Sequence, residues 1–171
     1  AGPLPFRRDS MRILQLCPKV PWPPDDGGRV AMRVLGLSLR DAGADVRTLS
    51  LNPRKHRVDV ADLPEEARPL RLEAVDHDTS VTAAGALRSL LSGTSYNVER
   101  FHSAAFESRL AEVVSDWPPD VVLLESLYMV PFLPALRRAT EAPVVLRSVN
   151  VEHEIWDGLA ENARGPLLRA Y

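Results

Sequence analysis

The feature that most constrains this chain is its rhythm, in which apolar runs too short for helices alternate with longer stretches of helical period. Arg12-Ile-Leu-Gln-Leu-Cys17 is the first such run, and Pro18 halts it by removing a backbone donor. Near-continuous apolarity of this kind marks a strand covered on both faces. From Arg29 to Ala42 the apolar residues Val30, Ala31, Val34, Leu35 and Leu37 recur at three- and four-residue spacing, which predicts an amphipathic helix with Gly43 at its C′ position. Asp45 to Leu51 then reads as a second strand, and a strand, helix and strand of these lengths make a parallel βαβ unit.

The second half repeats the pattern. Val121-Val-Leu-Leu124 and Val144-Val-Leu146 read as buried strands, separated by a helix from Met129 to Ala139 that is interrupted near Pro131 and Pro134. Between the halves, Asn52 to Pro69 reads as a polar surface excursion and Leu70 to Val75 alternates as an edge strand. Helical periodicity over 81–91 and 103–114 flanks a loop at 92–97. The expected fold class is α/β, a Rossmann-like doubly wound, mostly parallel sheet with helices on both faces. Ligands in such sheets collect beyond the carboxyl ends of the strands, so residues just after Cys17, Leu124 and Leu146 are the site candidates.

A chain of 171 residues with 45% hydrophobic content suits one folded domain, expected over 11–171. Residues 1–10 precede Met11 and read as a non-native remnant. At the other end Asn150 is expected to cap a helix reaching Glu161, Gly165-Pro166 to stop it, and Leu167 to Tyr171 to begin a new apolar turn, so the natural chain is expected to continue. A net charge of −2 disfavours nucleic acid as a partner. No apolar run approaches the roughly 20 residues that span a bilayer. Cys17 has no intramolecular partner and reads as a buried thiol in a reducing, cytoplasmic setting. The basic run Arg54-Lys-His-Arg57 leaves peripheral contact with the inner face of a membrane open beside the plainer reading of a solvated loop.

Several positions could carry chemistry. Gly27 and Gly28 open a helix, where free amides and the dipole favour a phosphate or carboxylate, although glycines also simply negotiate a tight turn. They do not make a G-x-G-x-x-G pattern, and Leu51-Asn52 supplies no acidic residue after the second strand, which disfavours a nicotinamide dehydrogenase. Arg29 and Arg33 sit one turn apart and could face one anion or merely solvate the helix. Glu125 and Tyr128 follow the third apolar strand, placed to hydrogen-bond a sugar or to cap the sheet end. Asn150, Glu152 and His153 follow the fourth, as ligand contacts or as residues answering a helix N-terminus. His153-Glu154 lacks the second histidine of a zincin helix, and no P-loop or nucleophile elbow is present, so neither metal nor cofactor is expected.

Taken together, Met11-Arg-Ile-Leu-Gln-Leu16, Pro21-Trp-Pro-Pro-Asp-Asp-Gly-Gly28, Ser95-Tyr-Asn-Val-Glu-Arg-Phe101, Glu125-Ser-Leu-Tyr-Met129 and Arg147-Ser-Val-Asn-Val-Glu-His-Glu-Ile-Trp156 resemble the N-terminal domain of GT4-like, retaining glycosyltransferases of the GT-B fold. The resemblance covers most of the chain from Met11. It implies a metal-independent enzyme that moves a sugar from a nucleotide-diphosphate donor to a sugar, glycan or lipid-linked acceptor, with Gly27 and Gly28 approaching the donor phosphates or the acceptor. Most donor contacts would come from a C-terminal domain absent from this sequence, so the fragment alone is expected to be inactive. One departure stands out: where the family usually has a histidine before the position of Asn150, this chain has Val149, which neither donates a hydrogen bond nor relays a proton. Either His153 or a backbone group substitutes, or activity is altered. A non-catalytic binding module and a GT-B nucleotide-sugar hydrolase or epimerase are the alternative readings.

Overall fold

The computed structural model describes residues 10–80 and 100–148. The strands β1 (Arg12–Cys17), β2 (Asp45–Pro53), β3 (Glu73–His77), β4 (Val121–Leu124) and β5 (Val144–Leu146) form one sheet in the order β3-β2-β1-β4-β5, and every pairing is parallel. Central β1 pairs with β2 from Arg12 opposite Asp45 to Cys17 opposite Ser50, and with β4 from Ile13 opposite Val121 to Leu16 opposite Leu124. Consecutive side chains of a strand point to opposite faces, and β1 splits accordingly. Leu14 and Leu16 join Leu49, Leu51, Val122 and Leu124 in one apolar cluster, while Ile13 joins Val46 and Leu123 in another.

Each cluster is closed by its own layer. Phe106, Leu110 and Val113 of helix α2 (Ala104–Asp116) and Leu136 of helix α3 (Leu133–Ala139) cover the first. Leu35, Leu37 and Leu39 of helix α1 (Gly27–Asp41), with Trp22, Ala67 and Leu70, cover the second. The fold is therefore the expected α/β doubly wound, Rossmann-like sheet. Ser103 caps α2 by accepting from the Phe106 amide, and a 3-10 turn over Leu127–Phe132 carries the chain past Pro131 into α3.

Three expectations need correction. The inward face of α1 is Arg29, Met32 and Gly36, whereas Val30 and Val34 are 39% and 49% exposed. The cause lies in the sheet beneath, which presents the polar Gln15 and Thr48: Gln15 Nε2 donates to the Met32 carbonyl at 3.0 Å, and a Cβ at Gly36 would stand 2.7 Å from Gln15 Oε1. Helix and sheet meet here through a carbonyl and a missing side chain rather than through valines. The third strand starts at Glu73 instead of Leu70, because Glu65–Leu70 is a 3-10 helix and Arg71 takes a left-handed φ of 43°. Leu70 and Leu72 are buried by packing, which mimicked strand alternation, and the strand does lie at the sheet edge.

The segment after β2 runs over the surface as expected, and it is pinned at both ends. Asn52 is buried, donates to the Val58 carbonyl and to Asp76 Oδ1, and accepts from the Val58 amide, while Ala67 and Leu70 enter the core. Finally, β5 is an exposed edge rather than a buried strand, with Val145 at 50% and Leu146 at 44% exposure. Among the described residues, no helix is long and apolar enough to cross a membrane.

Candidate functional site

The strand order places β2 on one side of β1 and the later β4 on the other, so the chain reverses its direction of travel across the sheet between β1 and β4. A crevice opens at the carboxyl edge where such a reversal occurs. A cavity of about 520 Å³ occupies that position here. Pro18 and Lys19 enter it after β1, Pro53 at the end of β2, Asp78 to Ser80 after β3, and Glu125 and Ser126 after β4. The size falls within the 300–1,000 Å³ range of small-molecule sites.

One wall is the start of α1. Asp26 is the N-cap: its Oδ1 accepts from the Arg29 amide at 2.9 Å, and its Oδ2 accepts from Lys19 Nζ at 2.6 Å. Partial burial raises the Asp26 carboxyl, but the Lys19 hydrogen bond, the Arg29 amide and the two cationic charges outweigh it and hold the group below its ordinary value. Gly28 lines the cavity and Gly27 does not. Arg29 does not reach the cavity: it is 3% exposed, and its guanidinium donates to the Pro23 carbonyl, Asp25 Oδ1 and the His56 carbonyl. That side chain clamps the proline loop and the turn after β2 onto α1. Arg33 pairs with Glu66, which also accepts from the Trp22 indole, so the two arginines converge on no common anion.

Of the two readings of Glu125, a contact to a sugar or a cap on the sheet end, the geometry fits the second: it lies in the floor of the cavity with a fully buried side chain. Its Oε1 accepts from Gln15 Nε2 and its Oε2 from Arg147 Nε, both at 2.6 Å. Desolvation raises its pKa, and the Gln15 and Arg147 contacts only partly offset that rise. Gln15 links this pair to α1 through Met32 and to β2 through the Thr48 hydroxyl, which donates to Gln15 Oε1 at 3.1 Å. The nearby Cys17 thiol is buried and raised well above its ordinary value, first by desolvation and then by the Glu125 charge, which leaves it a protonated, unreactive core group.

Tyr128 does reach the cavity, and its ring stacks on Phe101 with centroids 4.4 Å apart. The Arg100 guanidinium stands 5.3 Å from the Phe101 centroid, and the Arg100 carbonyl meets the His77 ring at Nε2. Of the sequence candidates, then, Gly28, Glu125 and Tyr128 come together at one cavity. Gly27 is exposed and outside the lining, and Arg29 is buried away from it. Val149, Asn150, Glu152 and His153 lie outside the described residues.

Lys19, Lys55, His56, Asp78, Ser80, Arg100 and Ser126 line the cavity without having been singled out as site residues. Lys19 and Ser126 follow strands that apolar patterning delimits, and Lys55 and His56 belong to the basic run Arg54 to Arg57, so a sequence signal marks each of them. Asp78 to Ser80 lie beyond the range that alternation gives the third strand, and Arg100 and Phe101 close the Ser95 to Phe101 motif, whose resemblance assigns them no role. No group of three or more histidine, cysteine, aspartate or glutamate side chains gathers among the described residues.

The chain matches no family model and no curated protein. Among solved structures it is similar to the C-terminal domain of a hydrogenase from Pyrococcus furiosus, at 14% identity over 85% of this chain and 98% of that one, with a TM-score of 0.46. A likeness of that size carries nothing about chemistry.

Proposed function

We propose that this domain is the N-terminal, acceptor-side half of a GT-B glycosyltransferase, which transfers a sugar from a nucleotide-diphosphate sugar to a sugar, glycan or lipid-linked acceptor. The observation that supports this reading most directly is the cavity of about 520 Å³ at the β1/β4 reversal, bordered by Gly28 at the start of α1 and by Tyr128 after β4. Three of the motifs that resemble the family thus border one small-molecule space, the third through Arg100 and Phe101. Glu125, with Gln15 and Arg147, holds the floor rather than touching substrate. In this reading the donor is a substrate, and no metal takes part. Lys19, Ser126 and Tyr128 supply the polar rim.

The test uses the natural protein that contains this chain, incubated with UDP-, GDP- and ADP-sugars with and without candidate acceptors. Release of nucleotide that requires an acceptor is expected. A Cβ at Gly28 would stand 3.2 Å from Asp26 Oδ1 and 3.9 Å from Lys19, so Gly28→Val crowds the rim while leaving the core untouched. Its kcat/KM is expected to fall about 100-fold, as for a misplaced reacting group, with the thermal midpoint nearly unchanged. Nucleotide release independent of acceptor, or undiminished turnover by the variant, would overturn the reading.

A further inference from the structure

The charges around the cavity do not cancel. Its acidic lining residues, Asp78 and Glu125, are already engaged: Asp78 by the Ser80 hydroxyl and amide and by Arg54 at 3.8 Å, Glu125 by Arg147 and Gln15. Among its cations, Lys19 is neutralised by Asp26 at 2.6 Å. Lys55 and Arg100 remain. No acidic group among the described residues pairs with either, and Arg100 Nε is buried without a hydrogen-bond partner. The His56 ring lines the same space, and its side chain has no described partner. Beside these cations the stacked Phe101 and Tyr128 rings give the lining an apolar stretch.

Two uncompensated cations in a concave site raise the local positive potential, in a chain whose net charge is −2. That local excess favours an anion, and a planar guanidinium and an ammonium lining one cavity suit a phosphate oxygen set. We infer that the cavity takes a phosphomonoester, its phosphate held by Lys55 and Arg100 and the group that bears it against the Phe101–Tyr128 pair. The inference rests on the sugar-transfer reading for its statement that this ligand is the acceptor. The phosphate site itself rests on the lining residues alone. The phosphate belongs either to a free sugar phosphate or to a lipid headgroup, and the chemistry that holds it is the same.

Binding of glucose, glucose 6-phosphate and inorganic phosphate to the 171-residue chain by calorimetry tests the site. Glucose 6-phosphate is expected to bind at least about tenfold more tightly than glucose, and the difference to shrink with added salt. Lys55→Ala and Arg100→Ala should each remove roughly tenfold of that preference, and Lys55→Arg should retain it. Equal affinity for glucose and glucose 6-phosphate, or alanine variants that keep the preference, would overturn the inference. Flotation with phosphatidylcholine vesicles carrying phosphatidic acid separates the sources: binding that depends on Lys55 and Arg100 assigns the lipid-borne phosphate, and its absence beside glucose 6-phosphate binding assigns the free one. Assays of the natural protein separate this inference from the one above. Transfer to neutral acceptors as efficient as to phosphorylated ones sinks the phosphate site and spares the transferase; phosphate-dependent binding without consumption of any nucleotide sugar does the reverse.

Discussion

Glu125 shows how a residue that reads as a ligand contact becomes a pillar of the site. A carboxylate after a buried strand could face a substrate, but this one is drawn inward by Gln15 and Arg147 and loses its water. Burial weakens the charged form, so the folded state holds its proton more tightly than the unfolded chain does. Stability accordingly falls as pH rises from the unfolded to the folded pKa, and the penalty is complete above the latter, each pH unit of that window being worth at most about 1.4 kcal/mol. Asp26 and Glu66 are shifted downward: for Asp26 partial burial opposes the shift and Lys19 and Arg29 overcome it, and for Glu66 the Trp22 indole leads, followed by Arg33. Their stabilisation is lost as pH falls through folded values below the usual carboxylate range, so the two windows do not overlap. Urea midpoints measured against pH should decline above the ordinary glutamate value in the natural chain and lose that decline in Glu125→Gln. A slope that survives the substitution would assign the titration to another group.

Helix α1 owes its position to one residue. Gly36 costs helix propensity, by about 0.8–1.0 kcal/mol relative to alanine. A Cβ there, however, would stand 2.7 Å from Gln15 Oε1 and 3.0 Å from Leu70 Cδ1, and Gln15 is fixed by hydrogen bonds to Glu125, Thr48 and the Met32 carbonyl. Overpacking a core costs roughly 1–3 kcal/mol, which outweighs the propensity gain. Gly36→Ala should therefore destabilise the chain by about 1–2 kcal/mol, whereas Gly27→Ala, with nothing within 4 Å of the added atom, should be neutral or slightly stabilising. Chemical denaturation of both variants checks the pair, and a stabilised Gly36→Ala would show that the helix is free to slide. The same contact explains what the sequence could and could not disclose at this scale. Arg12 to Cys17 and Val121 to Leu124 are legible because a doubly covered strand is mostly apolar, Gln15 being the buried exception. The orientation of α1 was not readable from its valines, since helical period reports a stripe of apolar residues and not which neighbour carries the polar partner. Within the site, positions after strands were legible wherever the strand was. Lys55 follows β2 and the Arg100 carbonyl meets His77 at the end of β3, so the two line one cavity through the parallel pairing of β2 with β3, which no local pattern encodes.

Across the whole molecule, β1 is shared property. Leu14 and Leu16 face the layer of α2 and α3, Ile13 faces the layer under α1, and the strand is bonded on both edges by β2 and β4. Loss of β1 removes the inner wall of both clusters at once, so the two faces should unfold as one cooperative unit rather than in sequence. Tryptophans report on each side: Trp22 is buried in the α1 cluster and Trp117 in the opposite one. Two single-reporter chains follow, one keeping Trp22 and the other Trp117, with the remaining tryptophans, Trp156 included, replaced by phenylalanine. Leu16, fully buried in the Trp117 cluster, is then truncated in each. Leu16→Ala should cost about 2–5 kcal/mol, a large share of the roughly 5–15 kcal/mol that stabilises a typical domain. If the sheet couples its faces, the urea midpoints followed by Trp22 and Trp117 fluorescence move together by the same amount, although Trp22 lies across the sheet from the substitution. A shift confined to Trp117 would mean that each layer is held by its own helices, and that the cavity floor formed by Gln15 and Glu125 can persist after the α2 side has opened.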